Sequence, residues 1–398
     1  MSIPTPAAGN MKRYFWTTGC ATLAVLTIIV ATNYVVDPYL IHQWDTALIH
    51  RPSPAQQKIM PWGKTYAVYK YRPEVVYLGS SRTEIGLSTD SPVFAGKRIF
   101  NLAISGASLG DAVNMLRHTS VRQRPETVVW GLDYGWQFRE KSGNTDFAEE
   151  LVAEGPSYSI LRTLQNIRRS ASMAMTGETV KIVTGLADKK CPSLLATYGW
   201  KSTGCLEYIM ADEGGTAKAF EEVLKKKEPQ ATPANVAATT ELLGRATKDY
   251  CAQGTVFRFY LQPIHALAEL SYWATHWDDL DDWKRSLVKM VDTRRQEGCD
   301  IRLMDFSGFN RITTEEIPQA TGREDMQFYW EQSHYRSEVG QIILARLVAG
   351  DKEEAVDEGD DFGVDLTGET IERHLLRQRE KRQRYVAEHP RETANMTL

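Results

Sequence analysis

The stretch Val75-Val76-Tyr77-Leu78-Gly79-Ser80-Ser81-Arg82 governs the reading of the chain. Four consecutive apolar residues, two of them β-branched, have the character of a strand buried on both faces, as in a parallel sheet. The run stops at Gly79, which permits a sharp turn, and the turn then presents two hydroxyls. A strand ending this way sets Ser80 and Ser81 at the carboxyl edge of the sheet, where open α/β folds bind ligands.

Short apolar runs of the same kind recur at residues 98–102, 127–132, 255–261 and 300–304. Helical patterns lie between or after them, over 108–120, 232–252, 266–276, 280–298 and 337–348; Thr232 and Pro233 supply a cap and a first-turn proline. Strands alternating with helices predict an α/β fold of three αβα layers around a mostly parallel, flavodoxin-like sheet. Residues 138–229 break the rhythm. They carry helical patterns at 160–175 and 216–227 and no clear strand, which predicts a helical insertion. Residues 37–72 read as a polar lead-in punctuated by Pro38, Pro52, Pro54 and Pro61. After residue 350 the chain turns strongly charged, with a helical pattern over 369–385. That tail, 351–398, reads as a solvated appendage or as a docking helix for a partner.

The overall composition is ordinary: 398 residues, 42% hydrophobic, 25% charged, formal net charge −4. Those values disfavour a disordered chain and a many-pass membrane protein, and the missing basic surplus argues against a nucleic-acid partner. One local exception stands at the start. Residues 15–36 (FWTTGCATLAVLTIIVATNYVV) carry no formal charge, and as a helix they span about 33 Å, enough to cross a bilayer. Lys12 and Arg13 precede the run, and Trp16 and Tyr34 stand at its two ends. That order predicts a cytoplasmic leader (1–14), one crossing of the inner membrane, and an exported domain from residue 37 to 350. A cleaved signal peptide shares the pattern, but the run is long for one and Val30-Ala31-Thr32 makes a poor cleavage site.

Cys20 lies in the anchor, which leaves Cys191, Cys205, Cys251 and Cys299 outside with three ways to pair. Sequence proximity suggests Cys191 with Cys205 and Cys251 with Cys299, bonds that would persist in an oxidising compartment. Neither CxxC nor CxxH occurs, so zinc has no support, and no other metal or cofactor motif appears.

A serine nucleophile needs a base and a group to orient the base. Phe328-Tyr329-Trp330-Glu331-Gln332-Ser333-His334-Tyr335 offers both, because a carboxylate three positions before a histidine can reach its ring and fix the tautomer. The expected contact is roughly 2.6 to 3.2 Å between Ser81 Oγ and a His334 ring nitrogen.

Together these blocks resemble the SGNH hydrolase superfamily, whose first block is a strand followed by GDS or GSS and whose last is DxxH. More closely, the chain resembles a membrane-anchored, exported branch with a GSSR motif, distantly similar to D-alanyl transfer and alginate O-acetylation proteins. The resemblance implies Ser81 as nucleophile with Ser80 as fallback, His334 as general base, and Glu331 in the place of the family's aspartate. It implies an oxyanion-hole glycine at Gly106, in Asn101-Leu102-Ala103-Ile104-Ser105-Gly106. Asp133 occupies the place of the family's asparagine, although an ionised carboxylate cannot donate a hydrogen bond to an oxyanion. Asp133 therefore pairs elsewhere, for instance with Arg82, or the oxyanion hole relies on the backbone N–H groups of Ser81 and Gly106, or catalysis is lost. Arg82 reads as a partner of Asp133 or Glu84, or as a contact for an anionic substrate. Asn101, His265 and Asp305 are candidate site-lining residues, His265 with a structural role as the plainer reading. The implied activity is O-acetyl transfer or O-acetyl ester hydrolysis on an envelope or exported polysaccharide, beside envelope-synthesis proteins. The rival is a non-catalytic scaffold that binds polysaccharide.

Overall fold

The computed structural model describes residues 8–42, 49, 51, 60–138, 152–187, 191–212, 214–223, 232–273, 276–317, 326–349 and 362–393. Helix α1 (Ala8–Val36) leads to α2 (Met60–Tyr71), β1 (Val75–Leu78), α3 (Ser81–Gly86), β2 (Ile99–Asn101), α4 (Leu109–Ser120) and β3 (Thr127–Leu132). Four helices follow, α5 (Tyr158–Ser170), α6 (Met173–Val183), α7 (Thr203–Asp212) and α8 (Thr216–Val223), before α9 (Pro233–Cys251) and β4 (Val256–Leu261). Then come α10 (Ala266–Trp273), α11 (Trp277–Gln296), β5 (Ile301–Asp305), β6 (Tyr329–Glu331), β7 (His334–Tyr335), α12 (Ser337–Ala349), β8 (Val364–Asp365), α13 (Ile371–Glu388) and α14 (Pro390–Thr393).

The main sheet runs β2-β1-β3-β4-β5-β8, parallel except for β8, while β6 and β7 form a separate antiparallel pair. Val75 pairs with Ile99 on one side and Thr127 on the other. From β1 the chain steps outward to β2, then returns and steps the other way through β3, β4 and β5. The carboxyl ends of β1 and β3 therefore flank the point where the strand order reverses, the usual ligand crevice of such sheets.

Alternate strand residues enter two separate cores. Val76, Leu78, Val128, Trp130, Phe257 and Phe259 pack with apolar residues of α2, α4, α9 and α11. Val75, Tyr77, Val129 and Tyr260 face α12 and Phe220 of α8. A sheet covered on both faces demands apolar residues at every position, which is why β1 reads VVYL. Each such aliphatic or aromatic side chain removed from water contributes roughly 1.5 to 3 kcal/mol.

Three segments depart from the sequence reading. The lead-in contains α2, which starts beside Pro61 and buries Trp62, Lys64 and Thr65. The helical pattern at 160–175 is broken into α5 and α6, because Ser172 caps α6 by accepting the Met175 N–H at 3.2 Å. The charged C-terminal segment is no solvated appendage over its described residues. β8 pairs with β5, and α13 buries Ile371, His374, Leu375, Gln378 and Tyr385. That face recurs at helical spacing but is diluted by charges, so composition hides it.

Between β3 and β4 the described residues hold helices and no strand. Cys191 is bonded to Cys205 with Cα atoms 4.4 Å apart, and Cys251 to Cys299 with Cα atoms 5.2 Å apart. The second bond joins the end of α9 to the turn after α11. Residues Met11–Val36 of α1 are long and apolar enough to cross a membrane, with a window of mean hydropathy 1.9. The last turn of α1 is tied to the domain. Asn33 Nδ2 donates to the Ser170 carbonyl at 2.8 Å and to Thr176 Oγ1 at 2.9 Å, and Arg51 Nε donates to the Val36 carbonyl at 2.6 Å.

Candidate active site

Gly79 ends β1 with φ +148°, and a Cβ there would approach Thr83 Cβ to 2.9 Å, so the turn requires glycine. Ser80 caps α3, its hydroxyl accepting the Arg82 N–H at 3.4 Å. Ser81, the first residue of α3, is half-buried at the strand's carboxyl edge. The β2–α4 loop is laid against this turn, because the Leu102 N–H donates to the Tyr77 carbonyl at 2.8 Å and the Ile104 N–H to the Gly79 carbonyl at 3.1 Å. Those bonds hold against the turn the loop that carries Ser105 and the exposed Gly106, at φ +73°.

The β6–β7 hairpin supplies the other half. His334 Nε2 lies 2.7 Å from Ser81 Oγ, within the expected window, and its Nδ1 meets Glu331 Oε1 across the hairpin. Glu331 also accepts the Ser333 N–H at 3.1 Å. Burial alone would raise the Glu331 carboxyl, but the His334 ring, the Ser333 N–H and the Arg82 guanidinium outweigh it and hold it below the usual carboxylate range. An ionised Glu331 keeps a proton on Nδ1 and leaves Nε2 as the acceptor for the serine hydroxyl. The arrangement can therefore generate a serine alkoxide and store its proton on an oriented imidazole.

Arg82 joins the two halves. Its Nη1 pairs with Asp133 Oδ1 at the end of β3, while Nε and Nη2 donate to Ser333 Oγ at 3.1 and 3.0 Å. Of the two carboxylates expected to compete for Arg82, Asp133 takes it. Glu84 instead binds the buried Lys64 Nζ at 2.9 Å and accepts from Ser105 Oγ at 2.7 Å. Lys64 also donates to the Ala103 carbonyl, which pins the loop that carries Gly106. Burial pulls the Lys64 ammonium below the usual lysine range against the attraction of Glu84.

A buried polar chain underlies the site. Gln262 Nε2 donates to Asp133 Oδ2 at 2.9 Å and to Ser80 Oγ at 3.4 Å, and its Oε1 accepts from Tyr335 Oη at 3.2 Å. Tyr335 Oη in turn lies 3.1 Å from Tyr260 Oη, which lies 2.9 Å from Thr83 Oγ1. Ser80 is thus held by Gln262, and Ser81 is the hydroxyl that meets the histidine. Gly131 makes room for the chain, since a Cβ there would come within 2.7 Å of Tyr260 Oη and 2.8 Å of Gln262 Nε2.

The three candidate lining residues have other duties. Asn101 is fully buried, and its Nδ2 donates to the Thr83 and Leu87 carbonyls at 3.0 and 2.9 Å, clamping α3. His265 is buried, with Nε2 2.7 Å from the Glu315 carbonyl, and its backbone N–H holds the hairpin through the Gln332 carbonyl at 2.9 Å. Asp305 is fully buried against Lys284 at 2.7 Å, His374 at 2.9 Å and Ser307. A strand-end aspartate looks alike in sequence whether it opens on a crevice or is roofed by a helix, and here α13 is the roof. Sequence reasoning missed Gln262, Tyr335, Lys64 and Ser333. Only Ser333 had a local signal, lying between Glu331 and His334. Among the described residues no group of three or more His, Cys, Asp or Glu is placed to hold a metal ion.

No protein-family model matches this chain, and no curated protein matches it in sequence. The class that the observations define is an α/β protein with a mostly parallel six-stranded sheet, two disulfides and an N-terminal helix long and apolar enough to span a membrane.

Proposed function

We propose that this chain is an exported, membrane-anchored serine acyl-ester enzyme of the SGNH type, an O-acetyltransferase or O-acetylesterase of envelope or exported polysaccharide. The observation that carries the reading is the Ser81–His334–Glu331 relay at the carboxyl edge of the sheet, with Ser81 Oγ 2.7 Å from His334 Nε2. Ser81 attacks the acetyl carbonyl as His334 takes its proton, and Glu331 stabilises the imidazolium. His334 then returns the proton to the departing alcohol, leaving an acetyl ester on Ser81. Water or a sugar hydroxyl, deprotonated by His334, then attacks the acetyl carbon, the bond to Ser81 Oγ breaks, and His334 returns the proton to Ser81.

Backbone N–H groups of Ser81 and Gly106 are the donors this reading assigns to the oxyanion. Asp133 would repel that charge if it stood alone, but its pairing with Arg82 and Gln262 neutralises it and turns both oxygens to partners. Glu331, one methylene longer than the family's aspartate, reaches its histidine. The two departures from the family pattern, Asp133 and Glu331, are thus compatible with an active enzyme. The hydrophobic α1 and the disulfides support an N-terminus in the cytoplasm and a domain outside the inner membrane, near the polymer and its synthesis proteins.

The test is hydrolysis of a small acetyl ester by the full chain in detergent. The wild type should turn over, and Ser81→Ala should fall to the rate without enzyme. Adding oligosaccharide acceptors should divert acetyl groups from water if transfer is the activity. Equal rates for wild type and variant would overturn the proposal.

A further inference from the structure

Helix α5 is built inside out. A helix on a soluble domain buries its apolar stripe and exposes its polar face, whereas α5 buries Arg162 and Ser170 and exposes Ile160, Leu164 and Ile167. Those three recur at spacings of four and three, one stripe of the helix. The polar face is well anchored. The Arg162 guanidinium lies over Trp62 and Tyr66 at 4.2 and 4.4 Å, Arg169 lies over Trp62 at 4.5 Å, and Asn166 accepts from Tyr66 Oη. Helix α6 repeats the arrangement, burying Glu178 and Thr179 beside Met175 and exposing Met173, Val180 and Val183. Exposure across the six apolar side chains runs from 52% at Val180 to 83% at Met173. Exposed apolar stripes of this kind mark an interaction site.

Its position names the occupant. Both helices pack on α1, and Asn33, near the outer end of the apolar span, bonds Ser170 of α5 and Thr176 of α6. The exposed stripes are thus held rigidly where α1 leaves the membrane. Arg168, also exposed, flanks them with positive charge, while Lys181 pairs with Glu178 at 3.1 Å.

We infer that α5 and α6 lie in the lipid interface of the membrane that α1 crosses, their apolar stripes among the acyl chains and their polar faces carrying the domain. This rests on reading α1 as a membrane span. Amphipathic helices with basic flanks bind lipid surfaces in this way, and two of them beside one span would fix the domain's tilt.

The test places the photoreactive residue p-benzoylphenylalanine, one site at a time, at Leu164, Ile167, Val180 and Val183 of the full chain. Val25 in α1 reports on the span, and Lys289 on α11 reports on background. The protein is reconstituted in vesicles of phosphatidylethanolamine and phosphatidylglycerol, irradiated, and read by mass spectrometry. The inference predicts a mass shift of one phospholipid at the four sites and at Val25, and none at Lys289. Lipid adducts at Val25 alone, or crosslinks from α5 and α6 to a second copy, would overturn the interfacial placement and leave the span standing. Absence of adducts at Val25 as well would overturn both.

Discussion

Two buried networks in this molecule draw on the same side-chain types: a histidine, a carboxylate, a cation and a serine. Around the β6–β7 hairpin they are His334, Glu331, Arg82 and Ser333; under α13 they are His374, Asp305, Lys284 and Ser307. In the second, every donor converges on Asp305, and the side chains of His374 and Asp305 are 3% and 0% exposed. In the first, the carboxylate occupies only one edge of the ring. The His334 side chain keeps 26% of its surface exposed, and its second nitrogen meets a hydroxyl at 2.7 Å. What separates the two rings is the partially exposed setting of His334 and its contact with the Ser81 hydroxyl, where a proton can pass between a hydroxyl and an imidazole. The network under α13 spends the same groups on fastening a helix to a sheet edge.

Substitutions should separate the two. His334→Ala should lower ester hydrolysis by roughly 10³-fold or more while leaving the melting temperature almost unchanged. Asp305→Ala should do the reverse. It strands Lys284 and His374 in the interior, a loss of about 3 to 5 kcal/mol in denaturant unfolding, with turnover per folded molecule near wild type. A large activity loss in folded Asp305→Ala would show that the networks are coupled. Arg82→Lys tests the link between the halves of the site. A lysine cannot span Asp133 and Ser333 with a planar fork, so the hairpin should shift and kcat should fall on the order of 10²-fold, with thermal stability lowered less than in Asp305→Ala. Unchanged kcat would mean that Arg82 does not position His334.

A pH-dependent effect comes from Glu269 on α10, whose carboxylate accepts the Gly308 N–H at 2.9 Å beside the α13 network. Burial, opposed by Lys284 and reinforced by Asp305, pushes its carboxyl up to about 7. A carboxyl raised on folding stabilises the native state fully below its unfolded value and loses that contribution as pH rises through the folded one. Stability should therefore fall between pH 5 and pH 8, at up to about 1.4 kcal/mol per pH unit from this group. Glu269→Gln, which still offers an oxygen to Gly308, should flatten that decline in urea unfolding at the two pH values. An unchanged slope would contradict the assignment.

The strand-by-strand plan was legible because burial on both faces leaves a plain mark: β1 and β3 fall at the residues where continuous apolar runs stand. A turn glycine before two serines and a three-residue Glu331–His334 spacing are local signals, but the choice of Ser81 and its pairing with the hairpin came only through the family resemblance. Helix α2 was not legible, since Pro61 and Gly63 read as loop and its place depends on Lys64 meeting Glu84, twenty residues on. Nor was the distinction between Asp133 and Asp305. Both end strands, and only tertiary contacts decide that one neutralises Arg82 beside Ser81 while the other is sealed beneath α13.

Reaction of the full chain with a serine-directed fluorophosphonate, followed by peptide mapping, tests the central claim most directly. The account predicts one adduct on Ser81 in the wild type and none in His334→Ala. An adduct on another residue, or no adduct on protein that still hydrolyses the acetyl ester, would contradict it.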